Sequence, residues 1–260
     1  MFFKGDVSLL KSRCLAIVGT RKSSRYGRET ARKIASELCQ YGFTIVSGFA
    51  EGIDTEAHYG ALEAKGRTIA VFGCGLDTIF PASNLRLGKQ IEQNGCIISE
   101  LPPGHPTAKW TFPRRNRIIA GLSVGVVMVQ GHYDSGAMIT AKCAIDEGRE
   151  VFAVPGEISM EQSKGPHWLI KQGAKLIENT GDIIEEFGIK YNGTRESQKD
   201  LSLLSSDETM LIYSMSREAL HIDEISLKLG REITNILAML SVLEMKGYVK
   251  QLPGKYFILS

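Results

Sequence analysis

Leu15-Ala-Ile-Val18, closed by Gly19-Thr20-Arg21 and followed by a helical pattern from about Gly27 to Tyr41, decides the fold. Four consecutive apolar residues leave no polar face for solvent, so such a strand is buried on both sides. The unit recurs along the chain. Phe43–Val46 ends in Ser47-Gly48 and precedes a helix over roughly Thr55–Ala64. Thr68–Phe72 ends in Gly73-Cys74-Gly75, and Cys96–Ile98, Val124–Val129 and Val151–Val154 continue the series. Doubly buried strands alternating with helices predict an α/β fold, a Rossmann-like, doubly wound and mostly parallel sheet. Ligands of such sheets bind outside the carboxyl ends of the strands. Small and polar residues collect there: Gly19, Thr20, Arg21, Ser47 and Gly48, with Gly73 and Gly75.

Composition bounds the possibilities. The chain has 260 residues, 43% hydrophobic and 23% charged, enough for one large domain and a small one. Its net charge of +2 means that a polyanion site must come from local clustering of cations. Five cysteines with no CxxC pair indicate free thiols and a reducing, cytoplasmic setting. Cys74 or Cys143 as a nucleophile competes with the plain alternative of a packed thiol, and no His or Asp pattern supports the former. No apolar run reaches the ~18–20 residues of a membrane span, and the first six residues are too short an apolar stretch for a signal peptide.

The pattern changes near Ile189. Residues 189–204 are polar and breaker-rich, predicting a linker between a Rossmann-like domain over 1–188 and a second domain over 205–260. Helical patterns over 206–214, 221–229 and 231–246, then a hairpin over 247–252 and 255–259 around Pro253-Gly254, give the layout of a winged helix. Residues 201–260 hold six Lys/Arg against seven Asp/Glu, a balance of −1 that favours a protein-contact or regulatory role over duplex reading.

The stretch Lys109-Trp-Thr-Phe-Pro-Arg-Arg-Asn-Arg117 interleaves four cations with two aromatics and an amide. Single-stranded nucleic acid asks for that mixture, cations for phosphates and π-faces for bases. The competing reading is a basic helix start with its aromatics in the core. Gly19-Thr20-Arg21, supported by Lys22, Arg25 and Arg28, offers backbone donors and a planar guanidinium to an anion, or is simply a turn with solvated cations. Ser135 and Gly136 open a further helix on the same sheet edge, where Asp134 or Ser135 caps it and Gly136 leaves room for a ligand.

Other chemistries fit less well. Gly73-Cys74-Gly75 lacks the third glycine of a dinucleotide fingerprint, since Thr78 stands there, and no P-loop motif occurs. No cofactor is expected. Asp54, Asp77 and Glu100 read as helix caps or partners of the arginines, and the five histidines show no metal-ligand spacing.

The chain resembles the DNA-processing protein A family, also called DprA or Smf. The likeness runs through Ala16-Ile-Val-Gly-Thr-Arg21, Ser47-Gly-Phe-Ala-Glu-Gly-Ile-Asp54, Gly73-Cys-Gly-Leu-Asp77, Phe112-Pro-Arg-Arg-Asn-Arg-Ile-Ile-Ala-Gly-Leu-Ser123 and Ser135-Gly-Ala-Met-Ile-Thr-Ala141. The resemblance implies a non-enzymatic protein of natural transformation that binds single-stranded DNA, protects incoming strands, helps load the RecA recombinase and dimerises through its Rossmann domain. It implies phosphate contacts for Gly19, Thr20 and Arg21, a pocket lysine at Lys109, a stacking aromatic at Phe112, and the Arg-Asn-Arg core at Arg115, Asn116 and Arg117. A winged helix ends many members. An N-terminal SAM-type domain, frequent in the family, is expected to be missing or removed here. His167 stands where Asn is usual. The alternative kept beside this reading is a nucleotide-binding or nucleoside-monophosphate-hydrolysing Rossmann protein. A sequence-specific transcription factor is the third reading.

Overall fold

The computed structural model describes residues 1–189, 204–215, 219–246 and 248–259. Residues 190–203, nearly all of the expected linker, lie outside the described residues. The chain divides into two compact units, Met1–Tyr191 and Asn192–Ser260.

The first unit runs β1 (Phe2–Gly5), β2 (Cys14–Val18), α1 (Arg25–Gln40), β3 (Thr44–Ser47), α2 (Ile53–Glu63), β4 (Thr68–Phe72), α3 (Leu85–Asn94) and β5 (Cys96–Ser99). It continues through α4 (Thr111–Leu122), β6 (Gly125–Met128), α5 (Gly136–Asp146), β7 (Glu150–Ala153), α6 (Lys164–Lys171), β8 (Lys175–Leu176) and α7 (Thr180–Glu186). The sheet order is β1-β5-β4-β3-β2-β6-β7-β8. Every pairing is parallel except that of β1 with β5. The chain therefore winds outward from β2 to one edge, returns to the middle, and winds from β6 to the other. The switch point lies between β2 and β6, where their carboxyl ends diverge to opposite loops and leave a crevice.

Alternation within the strands explains the two layers of helices. Ala16 and Val18 pack on one face with Ile119, Ala137 and Met138 of α4 and α5, while Leu15 and Ile17 pack on the other with Ile34, Leu38, Ile53 and Ala57 of α1 and α2. All five residues of β2 are buried, as the unbroken apolar run requires. β1 was not legible in the sequence. Phe2 and Phe3 are both largely exposed, and the strand exists through its pairing with the edge of β5.

The second unit runs α8 (Ser206–Ser214), β9 (Leu220–His221), α9 (Ile222–Leu229), α10 (Ile233–Met245), β10 (Val249–Leu252) and β11 (Tyr256–Leu259), with sheet order β10-β11-β9. This is a winged helix. Ser205 and Glu208 close a reciprocal capping box that fixes the start of α8. Gly230, with φ of 62°, ends α9 in the left-handed conformation that glycine adopts without a Cβ penalty. Ile236, Leu240 and Leu243, spaced along one face of α10, join Leu211, Ile225 and Phe257 in the core.

One buried polar group stores a pH dependence. His58 of α2 is fully buried, and its Nδ1 lies 2.7 Å from Thr68 Oγ1. Thr68 donates its own proton to Ile45 O, so Nδ1 carries the ring hydrogen and Nε2 is left buried without a partner. Burial, with a further push from the Arg115 charge, lowers His58 from its ordinary 6.5 to about 3. The unfolded chain takes up this proton below about pH 6.5 and the folded chain does not, so stability is lost as pH falls through that range. Wild-type protein is expected to lose about 2 kcal/mol more unfolding free energy than His58→Gln between pH 7 and pH 5, in paired urea titrations. Parallel losses in the two proteins would refute this assignment.

Candidate functional site

A cleft of about 400 Å³ opens at the switch point. Its walls are the loop Gly19–Lys22 after β2, Ala50 and Asp54 at the turn into α2, Phe112, Arg115, Asn116 and Ile119 on α4, and Ser135–Ala137 with Thr140 at the start of α5.

Backbone bonds hold the first loop rigidly. Thr20 N donates to Gln130 O at 2.7 Å, and Ile53 N donates to Thr20 O at 3.3 Å. The Gln130 amide accepts from Ser24 N and donates to Ser24 Oγ, locking the loop that leads to α1. Gly52 sits at φ 82°, and a Cβ there would lie 2.4 Å from Thr20 O, so both its conformation and its close approach demand glycine. Crowding of another kind explains Gly19, whose missing side chain leaves room for Ile53 and the Gln130 carbonyl.

Arg115 lies under the cleft and is 7% exposed. Its Nη1 donates to the carbonyls of Gly48, just past β3, and Val71 in β4. Its Nε donates to Asn116 Oδ1 at 3.2 Å. A Cβ on Gly48 would stand 2.6 Å from both Arg115 Nη2 and Asp54 Oδ2, so this glycine admits the two opposite charges to one spot. Burial pushes Arg115 down to about 10; Asp54 opposes that shift and Arg21 adds to it. Burial raises Asp54 in turn, against the pull of Arg115.

Consecutive helical side chains diverge by about 100°, and the Arg-Asn-Arg triplet consequently reaches three different neighbours. Arg115 braces β3 and β4, and Asn116 Nδ2 donates to Gly136 O at 2.9 Å on α5. Arg117 turns to Glu100, past the end of β5, which also accepts from Arg114 Nε at 3.1 Å. The Arg117 hydrogen bond holds the Glu100 carboxyl below its ordinary range. Of the Arg-Asn-Arg core expected to contact the strand, Arg115 and Asn116 stand at the cleft wall and Arg117 is not among the residues that line it. A helix cannot aim two residues of that spacing at one point.

The remaining expected residues fall as follows. Gly19, Thr20, Arg21, Phe112, Ser135 and Gly136 line the cleft together with Arg115 and Asn116. Ser47 is buried and donates to Ile17 O at 2.6 Å, bracing β3 to β2. Lys109 is exposed, just ahead of α4 and away from the cleft lining. The Arg21 guanidinium stands 5.5 Å from the centre of the Phe112 ring. Phe112 also enters the space left by Gly73, where a Cβ would meet its Cδ1 at 2.9 Å. Gly136 has nothing within 4 Å of a Cβ position, so it faces open space. The Ser135 hydroxyl is buried and unpartnered at the start of α5, beside backbone amides that carry the positive end of the helix dipole.

Several residues escaped the sequence reading. Ala50, Ile119 and Thr140 line the cleft, beside Lys22 and Asp54, which the sequence had singled out as a supporting cation and a partner of the arginines. The Phe80 ring lies 5.8 Å from that of Phe112. Only strand-end position could have flagged Ala50; nothing local to Phe80 announces its partner. Asp77 Oδ1 accepts from Gly104 N at 2.8 Å and secures a loop. His167 Nε2 accepts from Gly156 N at 3.3 Å. Burial raises the Cys74 and Cys143 thiols, the opposite of nucleophile activation. Among the described residues, no three His, Cys, Asp or Glu side chains group to hold a metal, and no helix is long and apolar enough to cross a membrane. In the second unit, α10 contains no Lys or Arg, and Arg231 and Lys246 are paired with Asp207 and Glu208.

Fold and cleft define a Rossmann-type protein with a cationic, aromatic-walled crevice at the switch point of its sheet. The family model for DNA recombination-mediator protein A matches residues 1–188, and that for the DprA winged helix domain matches residues 195–255. The chain belongs to the DprA/Smf family. It is 40% identical to the protein Smf of Escherichia coli over 98% of this chain and 70% of that one. The crystal structure of DprA from Streptococcus pneumoniae superposes with a TM-score of 0.69 at 45% identity, covering 71% of this chain and 65% of that one. DprA from Helicobacter pylori, described for its single-stranded DNA binding mode, gives 0.66 at 34% identity over 71% and 85%. The chain thus spans roughly two thirds of the length of relatives such as the pneumococcal protein.

Removing the Arg115 charge leaves Asp54 buried without its counter-charge and two strand-end carbonyls without a donor. Arg115→Met is expected to lower unfolding free energy by about 3–5 kcal/mol, against less than about 1 kcal/mol for Arg117→Met. Equal losses in urea denaturation would show that Arg115 is not the brace described.

Proposed function

We propose that this protein binds single-stranded DNA in the switch-point cleft and serves DNA processing in natural transformation and recombination. The observation that carries the reading is the joint geometry of Arg21 and Phe112, a cation and a π-face 5.5 Å apart on one open cleft. A single strand offers a phosphate and an unstacked base side by side, and that pair suits such a wall. The Thr20 hydroxyl, Lys22 and the amides at the start of α5 supply further donors for phosphate oxygens. Lys109, exposed just ahead of α4, adds a cation outside the cleft lining. Arg115 contributes its charge from beneath and sets the position of the loops.

Membership in a family of recombination mediators supports the finer parts of the proposal. The protein protects incoming strands and passes them to RecA, acting without catalysis, as a homodimer through its Rossmann domain and in the cytoplasm. The acidic balance of the winged helix fits a protein contact better than a duplex contact.

Fluorescence anisotropy with a labelled poly-dT strand of about 20–35 nucleotides, competed by duplex across a salt series, tests the reading. Wild-type protein is expected to bind tightly, with salt sensitivity and without displacement by duplex. Arg21→Glu and Phe112→Ala should each weaken binding at least ~10-fold, and Lys109→Ala should reduce the salt slope by about one. Near-normal affinity in the first two variants would remove the cleft from consideration.

Gly136→Asp separates binding from stability. Its carboxylate enters open space at a helix N-terminus, where it favours the helix by about 0.3–1 kcal/mol, yet it repels phosphate. The expected result is an unchanged or raised melting temperature with at least ~10-fold weaker strand binding. Full affinity in a well-folded Gly136→Asp protein would exclude the α5 N-terminus from the site.

A further inference from the structure

Phe112 does not merely line the cleft; it divides two spaces. On its far side a second cavity of about 70 Å³ opens, walled by Glu51, Phe80 and Pro81, and sharing Arg21, Phe112 and Arg115 with the first. That volume holds several water-sized groups, and so the edge of an aromatic ring. Phe80 is 45% exposed, with its ring 5.8 Å from Phe112 and tilted by 39°. The two rings therefore stand as successive walls, with Arg21 reaching both spaces. An exposed phenylalanine against a small cavity, as Phe80 is, has apolar surface to offer.

The rim of the second cavity carries a charge of the opposite sign. Glu51 is exposed and accepts a hydrogen bond from Ser83 Oγ at 2.7 Å. A carboxylate repels phosphate and can only accept hydrogen bonds; one bond from Ser83 does not saturate it. Backbone oxygens are therefore unwelcome at this rim, and a base edge bearing an N–H donor is welcome. Cytosine and adenine offer an exocyclic amine with two N–H donors, whereas thymine offers a single N–H, at N3, flanked by two carbonyl oxygens that a carboxylate repels.

We propose that the Phe80 cavity is a second base subsite, adjacent to the Phe112 subsite, and that Glu51 makes it selective for a base with an exocyclic amine. The subsite rests on the single-strand reading given above. Two consecutive nucleotides straddle Phe112, with the phosphate between them at Arg21. Glu51 discriminates by accepting from the amine; Phe80 contributes affinity for any base.

The test measures the affinities of the whole protein for oligo-dC and oligo-dT of equal length, about 20 nucleotides. Wild-type protein is expected to favour dC by about 5-fold or more, within the range of one base contact. Glu51→Gln, whose amide both accepts and donates, should bring the dC/dT ratio close to one while keeping strand binding. Phe80→Ala should weaken both strands about 10-fold, with an unchanged melting temperature because the ring is half exposed. Equal wild-type affinities for dC and dT, or a preference that survives Glu51→Gln, would overturn the selectivity. Wild-type affinity in Phe80→Ala would overturn the subsite itself while leaving the Phe112 cleft intact. Loss of the single-strand reading has a different signature, since then wild-type protein binds neither strand.

Discussion

The site depends on a cation that the protein keeps for itself. Arg115 comes from α4, passes under the cleft and ends between two strand-end carbonyls, with the Asp54 carboxylate near its guanidinium. Burying a guanidinium is costly unless its donors are satisfied and its charge is answered. Both conditions hold here, and meeting them fixes the architecture of the sheet edge. Gly48 has to lack a side chain, the turn after β3 has to bring Asp54 back toward it, and α4 has to cross at the height of Val71. Phe49 within that turn takes a φ of 62°, a conformation that costs a non-glycine residue free energy. Its ring is offset by burial against Phe72 at 4.8 Å and His58 at 6.0 Å. The cleft floor is thus a charged core.

From this floor a division of labour follows. The buried cation, answered by Asp54 and two strand-end carbonyls, holds the cleft floor in place. The surface cations on the walls, Arg21 and Lys22, remain free to adapt. Arg114 and Arg117, equally cationic in sequence, are held on the other side of α4 by Glu100. Local charge density is therefore a poor guide to the anion path. What matters is which cations have carboxylates or carbonyls already in reach.

The same consideration decides what could be read from the sequence. The strands could be read closely, because an unbroken apolar run needs no distant partner to announce it. Thr68–Phe72 is a strand over just those residues, and the run Val124–Val129 is shortened by one residue at each end. The helices of the winged helix were legible from apolar spacing, whereas β8 and β9, two residues each, owe their existence to pairing alone. At the site, Gly19, Arg21, Phe112, Ser135 and Gly136 were legible because the topology gathers strand ends into one crevice. The particular partners of Arg115 and Arg117 were not, beyond the expectation that Asp54, Asp77 and Glu100 cap helices or pair with arginines. Their partners, Gly48, Val71 and Glu100, are remote in sequence, and helical geometry sends adjacent side chains apart. Phe80 was hidden for the same reason, since its meaning lies in a ring contact across the fold.

Selectivity for a single strand over a duplex follows from the shape of the proposed site. In a duplex every base face is already covered by its neighbours, and only base edges and the phosphate backbone are offered. Edge readers carry cations and amides on a helix that enters a groove. In the winged helix, α10 contains no Lys or Arg. The Rossmann unit instead presents a ring standing at the mouth of a cleft, with a guanidinium beside it. A ring in that position gains stacking energy only from a base whose face is free, about 1–3 kcal/mol for each base. A duplex would have to lose stacking and pairing of similar size to supply that face. The cations alone would hold either form, so in the proposed function the aromatic wall is what would turn a general polyanion cleft into one that prefers the unpaired strand.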